Sequence, residues 1–238
     1  IKKLVEINKP MVGIAQFEGQ TSQFTNIQNL LNQRYTVQNI NLAEQLPTGL
    51  TAMLMSGVSD SLSLTEYANL KNYLDNGGNL FLTQTKIKTN LQVQQAFPIQ
   101  SNIFDLTKEY GFLIAENLVT DKICGRVSVQ QQMGPIRMNV PMEYPLLPII
   151  RSFNKDEAIV SSLEQIQLIF ASEINLDSSA VENVNLVPLF FTSNQSGEMR
   201  GNFNLNPDPN QNPFIRIFNQ SDKILSARSE KIQTNGIL

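Results

Sequence analysis

The chain has no histidine and a single cysteine in 238 residues. Without imidazole there is no Ser-His-Asp or Cys-His catalysis, no His-ligated zinc and no histidine pH switch. One cysteine excludes an intramolecular disulfide and any cysteine-cluster metal site. No run reaches the ~18 consecutive apolar residues of a bilayer-spanning helix. The longest apolar segments, Tyr144–Ile150 with its prolines and Leu186–Phe191, are core-sized. Charge is also scarce, at 16% of residues, against about 25% in average soluble chains. Amides take up the polar surface instead, with 26 Asn and 21 Gln. A hydrophobic fraction of 41% argues against disorder. The net charge is -3, the pI about 5.1, and the 18 Lys and Arg are scattered, which argues against nucleic acid as a partner.

A chain of 26.7 kDa makes one large domain or two modest ones and needs no staple to hold its core. It opens on Ile1 with no basic region leading into an apolar one, so a signal peptide is not expected. The simplest reading is a soluble piece of a longer protein, whose location follows from the parent.

The first half alternates strand and helix signals. Pro10–Phe17 reads as a buried strand. Thr21 or Ser22 is placed to cap a helix running to Gln33, with Phe24, Ile27, Leu30 and Leu31 on its apolar face. Tyr35–Leu42 and Thr51–Met55 are the next strands, separated by the breakers Pro47 and Gly49. Ser63-Leu64-Thr65-Glu66 is a capping box, with Leu62 and Tyr67 placed as its hydrophobic staple. Tyr67, Leu70 and Leu74 share a face, and Asn76-Gly77-Gly78 closes the helix. Asn79–Thr83 is a fourth strand. Strand, helix, strand at this spacing is a βαβ unit, so the strands are expected parallel.

Ile87–Ile99 reads as an irregular polar crossing, Asn102–Tyr110 as a helix stopped by Gly111, and Phe112–Ile114 as a short strand. Beyond Cys124 the pattern turns to period two. Arg126–Gln130 and Ile136–Val140 flank a Gly134-Pro135 turn, a hairpin signal. Gln165–Phe170, Leu186–Thr192 and Phe214–Phe218 are further strand candidates, and the tail reads as loose. The fold class is therefore α/β, with an open, mostly parallel flavodoxin- or Rossmann-like sheet in residues 1–121. Residues 122–200 form a β-rich extension, and 201–238 an Asn/Pro-rich loop and tail.

In an open α/β sheet, ligands sit beyond the carboxyl ends of the strands. Those ends bring Gln16, Glu18, Ser56, Asp60 and Gln84 toward one rim, a polar set suited to a hydroxyl-rich ligand such as a glycan. The same positions are polar in any sheet, because chain leaving a strand is solvated. Gly19 lacks the companion glycines of a dinucleotide loop and the Lys-Ser or Lys-Thr of a Walker loop, so no nucleotide or flavin cofactor is expected. Cys124, flanked by Lys122 and Arg126, has no histidine base and reads as buried and inert. Asn204, Asn206, Asp208, Asn210 and Asn212 present oxygens at alternate positions. They lack the glycine and the terminal glutamate of a calcium loop, and read as an ordinary loop. Glu66 and Glu109 read as a cap and a solvated face. No catalytic residue, metal or cofactor is assigned. The enzymatic alternative is a hydrolase on a flavodoxin-like or amidotransferase-like fold, with Glu18 and Asp60 meeting at the rim.

Leu62, Glu66, Leu70, Tyr73, Leu74, Gly77, Gly78, Leu80 and Leu82 form a helix, double-glycine and strand pattern. Downstream come Tyr110-Gly111, then Leu118-Val119-Thr120-Asp121, Tyr144-Pro145 and Thr192-Ser193 with Ser196. In this order the landmarks, over roughly residues 10–200, resemble the auxiliary component of gliding-motility type ABC transporters. Thr120 interposed before Asp121 and the stretch after Gly201 depart from the pattern. The resemblance implies an extracytoplasmic, periplasmic domain of a membrane-anchored parent, partnered by a permease and an ATP-binding subunit. It further implies an α/β domain similar to that of some intraflagellar transport proteins, for which carbohydrate binding is proposed. It carries over no catalytic residues.

Overall fold

The computed structural model describes residues 9–16, 24–133, 136–179 and 184–231. The chain separates into two compact units, Ile1–Gln84 with Gln100–Ile103, and Thr85–Ile99 with Phe104–Leu238. Asp121 lies inside the second.

The first unit is the expected open sheet. β1 (Met11–Ala15), β2 (Thr36–Ile40), β3 (Leu50–Ser56) and β4 (Asn79–Thr83) stand in the order β2-β1-β3-β4. All three pairings are parallel. The order reverses between β1 and β3, the place where doubly wound sheets open a crevice. α1 (Thr25–Leu31) links β1 to β2, and α2 (Leu64–Asp75) links β3 to β4. Ile14, Met53, Met55 and Leu70 are fully buried and form the heart of the unit.

α2 forms as its sequence dictates. The Ser63 hydroxyl accepts from the Glu66 amide at 3.3 Å, and the Ser63 amide donates to the Glu66 carboxylate at 2.8 Å. Gly77, at φ 85°, supplies the left-handed residue that ends the helix. A side chain at Gly78 would collide with the Tyr73 ring. α1 is shorter than its pattern predicts. It starts after Phe24 with no side-chain cap, and the two expected caps, Thr21 and Ser22, lie outside the described residues. Of its predicted apolar face only Phe24 is buried, while Ile27 and Leu30 are 43% and 66% exposed.

The second unit is richer in strands than the sequence pattern shows. The predicted irregular crossing contains an antiparallel pair, β5 (Ile87–Asn90) with β6 (Gln95–Pro98). After α3 (Ile103–Glu109) come β7 (Phe112–Ile114), β8 (Leu118–Asp121), β9 (Cys124–Met133), β10 (Ile136–Ile150) and β11 (Ser152–Phe153). β12 (Ile166–Gln167), β13 (Ile174–Leu176), β14 (Val184–Phe191), β15 (Ser196–Met199) and β16 (Ile224–Lys231) complete the unit. β9 and β10 form the expected hairpin, longer than predicted. β12 keeps only part of the predicted Gln165–Phe170, although the Leu168 and Phe170 amides still donate to the Pro148 and Leu146 carbonyls of β10. Phe214–Phe218 is not a strand: Pro213 starts a 3-10 turn, Pro213–Arg216. The tail expected to be loose carries β16, which pairs antiparallel with β14.

β8 is buried along its whole length. Leu118 packs into a cluster with Tyr144, Leu146, Phe170, Met199 and Leu205. Val119, its neighbour, faces the opposite way and packs with Ile150, Phe153, Leu189 and Leu225. One strand thus joins two apolar clusters, as strand alternation requires.

Candidate functional site

The rim of the first unit brings together part of the predicted set. Loop 57–62 leaves β3 and is held at both ends by side-chain amides. Gln84 accepts from the Val58 amide and donates to the Val58 carbonyl, both at 2.8 Å. Asn102 does the same for Leu62, also at 2.8 Å in each direction. Ser56 accepts from the Thr83 hydroxyl at 2.6 Å. Gln16 is half-buried, and its backbone amide donates to the Ile40 carbonyl. Asp60 is exposed and accepts from Ser59 at 3.1 Å. Glu18 lies outside the described residues. Ser56, Asp60 and Gln84 therefore lie about one loop, but the Gln84 side chain fixes the start of that loop and Ser56 ties β3 to β4 through Thr83. An open depression of about 470 Å³ lies elsewhere in the unit, lined by Glu44, Gln45, Thr65, Asn69, Asn72 and Tyr73 among others. Gln16, Ser56, Asp60 and Gln84, the described rim residues, do not line it.

The second unit holds a polar cluster that the sequence pattern marks only in part. Asp121, fully buried at the end of β8, accepts from the Ser193 amide and hydroxyl, both at 2.7 Å, and from the Ile123 amide at 2.8 Å. β8 pairs with β15, and Ser196 stands opposite Asp121. Thr192 donates its hydroxyl to Ser196 at 3.0 Å and accepts from the Lys223 amide at 2.9 Å. Two landmarks of the resemblance, Leu118–Asp121 and Thr192-Ser193 with Ser196, thus meet in space although some 70 residues separate them. Gly197 fits beside them because a side chain there would collide with the Ile217 carbonyl oxygen.

Next to this knot lies a charge network. Lys223, 8% exposed, reaches Glu173 at 2.6 Å and Glu198 at 3.2 Å. The Asn117 amide donates to both carboxylates, at 3.2 and 2.6 Å, while its oxygen accepts from the Glu173 backbone. Arg200 binds Glu198 through two nitrogens at 2.7 and 2.9 Å. Two carboxylates face two cations, so the set is electrically closed. Burial alone would raise the Glu198 carboxyl, but the hydrogen bonds from Arg200, Asn117 and Lys223 outweigh it and hold it at about 2. Glu198 is consequently ionised at neutral pH and has no proton to give. Asn117, Glu173, Glu198, Arg200 and Lys223 are spread over the chain with no common motif, so no local sequence signal joins them.

The remaining candidates resolve individually. Cys124 is half-buried rather than buried. Burial first, then the Glu143 carboxylate, raises its thiol pKa, which keeps it protonated and unreactive. The Asn-rich loop is a run of turns. The side chains of Asn204, Asn206 and Asp208 accept from the amides of residues 206, 208 and 210. Asn212 donates to the carbonyls of Asn204 and Asn206, and Tyr144 donates to the Leu205 carbonyl at 2.6 Å. These amides close the loop from within. Glu66 is the cap it was read to be.

Among solved structures, one described as the mmIFT52 N-terminal domain matches with a TM-score of 0.52 at 14% identity. The match covers 77% of this chain and 73% of that one, a likeness of fold. An uncharacterized protein of Borreliella burgdorferi is 25% identical over 134 residues, 55% of this chain. The match spans 25% of that relative's length. A family model described as ABC-type uncharacterized transport system matches residues 9–235, from the start of the parallel sheet through β16. The chain belongs to this family of ABC transport auxiliary proteins.

Proposed function

We propose that the chain is a non-catalytic, extracytoplasmic binding or scaffold domain of an auxiliary membrane protein that works in one complex with an ABC permease and its ATP-binding subunit, in gliding motility or export. The observation that carries this reading is the closure of the polar network. An active site keeps an acid, base or nucleophile poised in a cleft. Here Glu173 and Glu198 are bound to Lys223, and Asp121 is committed to three donors. Membership of the transport family supports the context. Carbohydrate recognition is the finer part of the proposal. Asp60 and Gln16 are the rim groups a sugar hydroxyl would meet, since Ser56 and Gln84 would first have to give up existing bonds.

The test is removal of this domain from the full-length protein in its native operon. Export or surface movement is expected to fail while ATP hydrolysis by the isolated nucleotide-binding subunit is unchanged. Unaltered export overturns the reading. For the glycan, a calorimetric titration with oligosaccharides is expected to give saturable heat that Asp60→Ala removes, and a flat titration dismisses that part. Turnover in a hydrolase screen, lost in Glu18→Ala, would replace the proposal with an enzymatic one.

A further inference from the structure

The β9–β10 hairpin is a two-stranded ribbon along most of its length. β12 pairs only with Ile149 and Ile150, at the far end of β10. Val127 packs against the cluster of Tyr144 and Leu146, but from Ser128 to Pro141, among the described residues, the two strands pair only with each other and no strand pairs with the outer edge of either. The ribbon is two-faced. The register sets Val127 opposite Met142 and Val129 opposite Val140 on one face, with Met138 on the same side and 50% exposed. Arg126 with Glu143, Ser128 with Pro141, and Gln130 with Asn139 form the other face. An isolated two-stranded ribbon is marginal in water, whereas three or more strands with an apolar face are stable.

The two edges differ in how they are guarded. Natural sheets protect exposed edges with charges and prolines. The outer strand edge of β10 carries Arg137, Pro141 and Glu143, and Pro141 has no N–H to offer. β9 from Val127 to Met133 reads VSVQQQM: no charge, no proline and no glycine. That segment has the composition of a pairing strand.

We propose that two copies of this chain associate through β9, edge to edge and antiparallel, to make a four-stranded sheet in the order β10-β9-β9-β10. The register that fits is centred on Gln130. It sets Gln130 against its own copy, Ser128 against Gln132 and Val129 against Gln131, with no like charges opposed. Because both members of each pair are odd or both even, the apolar face of one ribbon continues into that of the other. Arg126 falls beyond the paired stretch. Seven residues at about 3.4 Å each give an edge of roughly 24 Å, well short of the interface that holds a permanent dimer. The association is therefore weak and reversible in isolation, and favoured where a shared complex concentrates the chains.

Sedimentation equilibrium of the chain from micromolar to millimolar concentration tests this. The expected result is a monomer–dimer equilibrium, with amide exchange of residues 127–133 slowing as concentration rises. Gln130 is exposed, so Gln130→Lys leaves the monomer intact and places like charges opposite each other. It is expected to weaken the dimer by up to about fivefold, the effect of a like-charged cross-strand pair. Asn139→Lys, its partner on β10, is the control and should leave the dimer unchanged. Mixing Gln130→Lys with Gln130→Glu should restore association beyond either variant alone. A chain that stays monomeric to millimolar concentration overturns the proposal. So does a dimer indifferent to Gln130 charge and to mixing.

Discussion

Replacing Lys223 by Met tests whether the buried charge network is a structural brace. Lys223 is nearly enclosed and holds both Glu173 and Glu198. Met fills its volume but leaves two neighbouring carboxylates with Arg200, bound to Glu198 and half exposed, as their one cation among the described residues. Glu173 keeps only the Asn117 amide at 3.2 Å. Breaking a buried pair by removing one partner costs about 3–5 kcal/mol. The unit is expected to lose that much at neutral pH. A second substitution, Glu173→Gln, should recover part of the loss. In the wild type, Glu198 moves from 4.5 to about 2 on folding. Its contribution is present above the unfolded value and is lost as pH falls through about 2, on the order of 1–3 kcal/mol. The chain has no tryptophan, so amide exchange is the suitable assay, read at Val119 and Met199, both fully buried. A variant within about 1 kcal/mol of wild type, or a Glu173→Gln second substitution that recovers nothing, would refute the reasoning.

Three further outcomes are expected. Gly197→Ala meets the Ile217 carbonyl oxygen, a backbone atom that cannot swing away, and should destabilise the second unit by about 3 kcal/mol or more, seen as a fall in its unfolding midpoint. Gln84→Met removes both bonds to Val58 and should cost about 1–3 kcal/mol, with faster exchange or proteolysis of loop 57–62 and none of this in the second unit. Cys124 should react slowly with a thiol reagent at neutral pH and speed up only above the usual thiol range, because burial and Glu143 raise its pKa; fast labelling at pH 7 would contradict this.

Elements with local signals were legible. The Ser63 capping box, the double glycine and the Asn79–Thr83 strand each carry their determinants within a few residues, and each stands as read. The parallel sheet followed from their spacing. The second unit was less legible because its strands are fixed by partners far away. β16, with two arginine or lysine residues and one glutamate in eight positions, looks like a solvated tail until β14 pairs with it. β5 and β6 are four residues each, and Lys88, Asn90 and Gln95 give them too little apolar alternation to stand out before they pair. Phe214–Phe218 failed as a strand because Pro213 fixes the start of a tight turn. At the candidate site, residue type pointed to the rim but not to its use. Gln84 has the chemistry of a ligand group, but its amide is bound on both sides to Val58. The Lys223 network left no trace, because its members share no spacing.

Asp121 and Ser193 tie β8 to the chain after β14 through buried hydrogen bonds. A double-mutant cycle of Asp121→Ala and Ser193→Ala, measured on stability and on export by the full-length protein, tests this most directly. A coupling energy of about 1–3 kcal/mol is expected, with export falling in step with the folded fraction. Negligible coupling, with export lost while the fold stays intact, would contradict it.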